Sequence, residues 1–292
     1  MTIKSSGSLS FTDITNEFGV ASPVCMSNYY GLDEGIPNSG EIKFSDFYGK
    51  TINATRTIAA SQNFNARSDF TNATIVGGYK SASTVFSNNQ AVKYYIISNG
   101  IVGSVDTSST AFDTGSWPSG TKIYLTNNNY IVGAGGAGGN ANGGGGGNGG
   151  PALTLNVTTF ITNNGTIAGG GGGGGAGSGN CFTQCYQTGC CSQQCDTACA
   201  DGGGGGGGAG SVAGSGGSGA NSGSSGSLTS GGSGGGGGYS RNGRADASGS
   251  SGASGGNLGQ NGGGNGGSAG NYIVNNNYAT WVVEGTRLGG VG

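Results

Sequence analysis

Six cysteines crowd a short stretch of the chain, at Cys181, Cys185, Cys190, Cys191, Cys195 and Cys199, and a seventh, Cys25, stands far from them. Thiols so placed can cross-link, hold a metal or act as nucleophiles. The density is that of disulfide-stapled extracellular proteins. Cys181 and Cys185 are four apart, as are Cys191, Cys195 and Cys199, so short helical turns would put each set on one face. Two such turns facing each other would close into a disulfide-linked hairpin. Many pairings are open to six cysteines, and the spacing does not choose among them. Structural zinc is disfavoured, because C-x-x-C spacing is missing and the chain contains no histidine. Cys25, isolated, reads as a buried small hydrophobe.

Catalysis finds little footing. Without histidine there is no Ser-His or Cys-His pair. The carboxylates do not cluster, and no glycine run ends in the Lys-Ser or Lys-Thr of a phosphate loop. The expectation is a protein that is not an enzyme, with no catalytic residue, no metal and no cofactor. Binding is better served. Phe182, Tyr186, Tyr239, Arg241 and Arg244 stand out in the glycine-rich half, and aromatic and Arg side chains offer large contact area and forked donors at modest entropic cost.

The elements that would carry these residues are of two kinds. Of 292 residues 72 are glycine and 33% are hydrophobic, below the roughly 45–50% of ordinary globular domains. Nearly all Val, Ile, Phe and Tyr lie before Ile167 or after Tyr272, whereas residues 169–270 are mostly Gly, Ser, Ala and Asn. A net charge of −2 and a pI near 4.9 argue against non-specific nucleic-acid binding. No apolar run reads as a signal peptide or a membrane span, which predicts a soluble protein not exported by the usual route.

The expected fold class is mainly β with a polyglycine-II helix bundle, in three parts. Residues 1–50 form a small N-terminal element with an internal repeat: Ser6–Ile14 (SGSLSFTDI) and Ser39–Phe47 (SGEIKFSDF) share one frame. Leu9 with Phe11, and Ile42 with Phe44, would share a face of a short strand, followed by a helix cap at Thr12 or Asp13 and at Ser45 or Asp46. Residues 51–129 read as a small sandwich or a β-rich spacer, in which Asn99-Gly100 marks a type I′ hairpin. Residues 130–292 form a glycine-rich domain. Its tracts recur, alternate with other compositions, and are followed by a return to the aromatic Asn271–Tyr278, unlike a disordered tail. Helices with three residues per turn expose every N–H and C=O sideways, and glycine lets such backbones approach closely. Residues 180–201, 220–230 and 239–254 would then be loops at the ends of rods, the cysteines stiffening one of them. The echo between Asn127–Val132 and Asn271–Tyr278 suggests equivalent edges of one core.

The alternation of glycine motifs with variable segments over residues 133–270 resembles the glycine-rich distal adhesins on the long tail fibres of T-even type bacteriophages. The ending Tyr278-Ala279-Thr280-Trp281 with Gly285-Thr286-Arg287-Leu288-Gly289, and the opening SFTDI and FSDFYG, are similar to segments of phage tail proteins. The resemblance implies a packed sandwich of polyglycine helices whose loops touch a host receptor, protein or glycan. It also implies a virion component whose partners are other tail or fibre proteins met through residues 1–50, as a homotrimer or as a single copy on a trimeric fibre. Release by lysis reconciles the cysteines with the missing leader. The cysteine loop departs from the family. Two other readings are a structural tail or collar component, and an ice-binding polyglycine protein.

Overall fold

The computed structural model describes residues 3–292. From Ile52 onward the chain coils like a solenoid, each turn laying one strand on each of three faces. The first face stacks Ile52–Ile58, Val92–Ser98, Lys122–Asn127, Thr159–Asn163 and Ala279–Val283, with Thr74–Ile75 added antiparallel at one edge. The second stacks Ser61–Gln62, Val102–Gly103, Tyr130–Val132, Thr166–Ala168 and Thr286–Leu288. The third stacks Phe64–Asn65, Phe112–Asp113, Leu153–Thr154, Asn271–Val274 and Gly290–Val291. Apart from Thr74–Ile75, the pairings within these three stacks are parallel.

Alternation along each first-face strand divides inside from outside. Ile96, Leu125 and Ile161 line up inward, fully buried, while Tyr95, Tyr124 and Phe160 stack ring on ring outside with centroids 4.6 and 4.9 Å apart. One apolar core runs from Ile52 to Ile273. It crosses residues 129 and 130 without a break, since Leu125 and Ile131 both belong to it. The spacer is therefore a parallel solenoid and not a sandwich. Nor is Asn99-Gly100 a hairpin: it is the corner between Val92–Ser98 on the first face and Val102–Gly103 on the second, as Asn164-Gly165 is two turns later. Glycine is needed there because corners stack, not for a left-handed turn. A Cβ on Gly100 would lie 1.1 Å from the Ala59 carbonyl oxygen, and one on Gly165 2.0 Å from that of Asn129. Buried asparagines bind the corners together, Asn127 Nδ2 donating to Asn163 Oδ1 at 2.8 Å. Asn127–Val132 and Asn271–Tyr278 are not equivalent edges, because Tyr130–Val132 lies on the second face and Asn271–Val274 on the third.

The glycine-rich chain is inserted between second-face and third-face strands, as residues 133–152 in the third turn and 169–270 in the fourth. Its hydrogen bonds have period three. Along residues 169–177, Gly170, Gly173 and Ala176 donate to Gly150, Gly147 and Gly144; Gly171, Gly174 and Gly177 donate to Ala209, Gly206 and Gly203; Gly169, Gly172 and Gly175 donate to Leu288, Gln260 and Gly263. One rod thus bonds three neighbours in rotation. Residues 202–210 are likewise buried throughout, whereas the outer tracts expose a residue about every third position, such as Ser215 and Ser218. The rod ends depart from expectation in one place. Residues 220–230 are not one loop but a rod between turns at opposite ends of the bundle, since Gly223 and Gly226 donate to Gly217 and Gly214. The last tract is interrupted, with Gly259 and Gly264 in left-handed turns at φ +66° and +61°.

Residues 3–50 form a second, separate core. The repeat holds three copies, not two. Val24-Cys25-Met26-Ser27-Asn28-Tyr29-Tyr30-Gly31 follows the same frame as Ile42-Lys43-Phe44-Ser45-Asp46-Phe47-Tyr48-Gly49. In each copy a side-chain oxygen of Asp13, Asn28 or Asp46 accepts the backbone N–H three residues earlier, from Ser10, Cys25 or Lys43, at 2.8–2.9 Å. Among the described residues of this element no strand forms; the caps are Ser10, Cys25 and Lys43, opening a helix at Phe11–Phe18 and 3-10 turns at Met26–Tyr29 and Phe44–Phe47. Ile14, Tyr29 and Phe47 are the matching fully buried residues. Cys25 occupies the outward position of Ser10 and Lys43, so it is exposed and not buried. The second copy bonds the third as the third bonds the first. Tyr30 OH donates to Gly40 O and Gly31 N to Pro37 O, while Tyr48 OH donates to Gly7 O and Gly49 N to Lys4 O. The relation between copies two and three is thus repeated between copies three and one.

Candidate functional site: a braced pair of hairpins

Two excursions rich in side chains leave the glycine bundle at the same end. The first is a hairpin of Asn180–Gln187 with Gln193–Ala200, the second a hairpin of Tyr239–Asn242 with Ala245–Ser248. Spacing by four is two strand repeats as well as about one helical turn. Here the strand prevails, because it sets cysteines directly opposite. Disulfides join Cys181 to Cys199 and Cys185 to Cys195, with Cα separations of 4.1 and 4.0 Å. Helical turns are therefore absent, and two of the six expected disulfide cysteines, Cys190 and Cys191, are exposed thiols.

Pleating gives the first hairpin two distinct faces. One carries both disulfides, with the Thr183 and Thr197 hydroxyls hydrogen-bonded between them at 2.9 Å and Gln187 opposite Gln193 beyond. The other meets the second hairpin, where Ala198, Ala200, Ala245 and Ala247 let the backbones close together. Asn242 Nδ2 donates to Thr197 O at 3.0 Å, and the Arg244 N–H to Asp196 Oδ2 at 2.9 Å. Gly243, at φ +57°, supplies the turn, and any Cβ there would strike the Asp196 carboxylate.

The five expected binding residues are not gathered into one patch. Arg244 and Tyr186 meet between the hairpins, the guanidinium carbon 4.1 Å from the ring centroid, a cation–π contact. Tyr239 and Arg241 share the outer face of the second hairpin through Asp246, by a 3.0 Å hydrogen bond and a 3.4 Å ion pair. The bond to the Asp246 carboxylate, before any burial, raises the Tyr239 phenol pKa. Tyr239 is 65% exposed and Phe182 49%. Asp196 and Asp246, which position these groups, were missed by the sequence reading; only their cross-strand register brings them into play. At the foot of the first hairpin Asn142, Ser178, Cys181 and Asp201 line an open cleft of about 320 Å³. Among the described residues no cluster of His, Cys, Asp or Glu is placed to hold a metal, and no helix is long and apolar enough to cross a membrane.

The class of protein to which this solenoid, with its glycine bundle and braced hairpins, belongs is shown by a family model and is that of the bacteriophage tail fibre adhesins. The family model described as phage tail fibre adhesin Gp38 matches residues 53–292, so the chain belongs to that family and to the tail fibre of a virion. In fold it is similar to a chain of the crystal structure of the gp37-gp38 adhesin tip complex of the bacteriophage S16 long tail fiber, with a TM-score of 0.54 and 21% identity over 99% of this chain and 100% of that one. No curated protein matches it.

Proposed function

We propose that the chain binds a host cell-surface receptor through the two hairpins, displayed on a scaffold of polyglycine-II helices. The observation that carries this reading is the contrast in side chains. The rods are nearly bare, yet the same end presents two adjoining hairpins, one cross-linked twice, with Phe182, Tyr239 and Arg241 exposed. Rigid aromatic anchors held this way lose little entropy on binding. The period-three hydrogen bonds, the inner rods meeting neighbours in three directions, support the polyglycine-II assignment. Labelled protein should bind cells of the host saturably, and replacing 182–198 by a Gly-Ser linker should abolish binding with the far-ultraviolet circular dichroism of the bundle retained. Absence of binding by the parent protein to a host that the virus infects would favour the structural reading.

Residues 1–50 are the proposed attachment to the fibre. The similar S16 structure is that of a gp37-gp38 complex. Three similar units, with Phe11, Met26 and Phe44 at matching, partly exposed apolar positions, suit the end of a three-fold partner, one adhesin per trimer. The opposite end of the solenoid offers a rival surface, where Val282 and Val291 are 62% and 56% exposed. Phe44→Glu should abolish co-purification with the fibre protein of the same virus, and Val282→Asp should not; the reverse result moves the attachment to the last turn of the solenoid.

A further inference from the structure

The apex of the first hairpin holds two thiols that the disulfide ladder leaves over. Thr188 N–H donates to Ser192 O at 3.0 Å and the two hydroxyls lie 3.1 Å apart, so the strands are tied beneath the apex and Gly189-Cys190-Cys191 is held outward. The four neighbouring cysteines are already paired across the strands. Cys190 and Cys191 are poor partners for each other, because a disulfide between adjacent residues closes an eight-membered ring through their own peptide bond and works against its planar trans form. Cys25 is exposed on the separate N-terminal unit of residues 3–50. Among the described residues the pair has no strain-free internal partner.

We propose that Cys190 and Cys191 form a thiol-exchange site that takes an accessible disulfide from outside the chain. The thiolate of one attacks a sulfur of the external disulfide. One S–S bond forms, the external S–S bond breaks, and the departing thiolate takes up the proton that the cysteine gave up, so the external disulfide is itself the only oxidant the step needs. Resolution by the adjacent thiol would close the strained bond between neighbours, so the mixed disulfide persists. On a cell, the source is a disulfide in a surface protein beside the receptor contact, and reversible adsorption becomes covalent. In the medium, the source is a small disulfide that caps the apex. The cellular role rests on the receptor reading; the exchange chemistry does not.

The test uses the full chain with Cys25→Ser, so that the other exposed thiol takes no part. In one arm oxidised glutathione is added and the peptides are mapped by mass spectrometry. A glutathionyl adduct on the Cys190-Cys191 peptide is expected, with both cross-strand disulfides intact. In the other arm, protein bound to host cells is washed and then treated with a reducing thiol. A wash-resistant fraction released by the thiol, and lost in the Cys190→Ser, Cys191→Ser variant while reversible binding remains, makes a surface protein the source. An adduct without such a fraction leaves small disulfides as the source. Finding Cys190 already joined to Cys191 before any addition, or no adduct at all, overturns the proposal. If the parent fails to bind cells, the receptor reading fails and the glutathione arm still decides the chemistry.

Discussion

Gly173 lies in the middle of a buried rod and tests how the bundle is held. A Cβ on it would stand 1.9 Å from the Ala137 carbonyl oxygen and 2.4 Å from its carbon. Reaching an ordinary 3.4 Å contact requires the two rods to part by about 1.5 Å at this point. The bonds that flank it, from Gly136 N to Gly171 O at 2.9 Å and from Gly139 N to Gly174 O at 2.8 Å, would be stretched together. Overpacking costs about 1–3 kcal/mol and each impaired hydrogen bond about 1 kcal/mol, so Gly173→Ala should destabilise the protein by about 3–5 kcal/mol. A melting temperature lower by roughly 10 °C is expected for a domain of this size. Gly236→Ala is the control: its nearest neighbour would be Asn221 Nδ2 at 3.4 Å, and the residue is exposed. There the unfolded chain loses freedom and stability should hold or rise by up to about 1 kcal/mol. Both variants are read by calorimetry against the parent. Equal melting of Gly173→Ala and parent would refute the close approach of backbones on which the architecture depends.

Three further outcomes are expected. Replacing Cys185 and Cys195 together by Ser should remove about 2–4 kcal/mol from the local stability of the first hairpin, seen as faster proteolysis within 180–200 while the bundle's melting is unchanged. A double-mutant cycle of Tyr186→Leu and Arg244→Gln should return a coupling of about 0.5–1 kcal/mol in hairpin opening measured by hydrogen exchange, and a coupling of zero would dismiss the cation–π contact. Burial pushes the Glu17 carboxyl above its ordinary 4.5, although Thr51 Oγ1 and the Ile52 N–H donate to it. A raised carboxyl pKa contributes stability that is present below 4.5 and lost as pH rises through the folded value. Glu17→Gln should therefore gain on the parent as pH rises through that window, in melts of the N-terminal element followed by intrinsic fluorescence.

The glycine bundle was legible because its signal is compositional. Where two rods pack backbone to backbone no side chain fits, and where one side faces solvent a Ser or Ala returns about every third residue, so the pattern lies in the letters. The solenoid was not legible for the opposite reason. Its strands are as short as Gln62 and Gly103 allow, two residues on the second and third faces of the early turns, and Asn-Gly signals a tight bend without saying whether the chain reverses or turns a corner. The third copy of the N-terminal repeat escaped because Met and Asn stand where the others have Phe and Asp. At the tip, the cysteine spacing suited both a helix and a strand.

The sequence by itself determined that the chain has two physical regimes, that one of them is built from bare backbone, that cysteines stiffen an excursion from it, and to which family it belongs. Only the tertiary structure decided that the glycine rods are insertions between faces of one solenoid, and that Leu125 and Ile131 share a core across the expected boundary. It alone paired Cys181 with Cys199 and Cys185 with Cys195, leaving Cys190 and Cys191 free. It alone set Asp196 beneath Arg244. The reason is the range of the forces. Glycine content and side-chain period act residue by residue and are written locally, whereas register, corner stacking and cross-strand pairing depend on segments far apart in the chain arriving side by side.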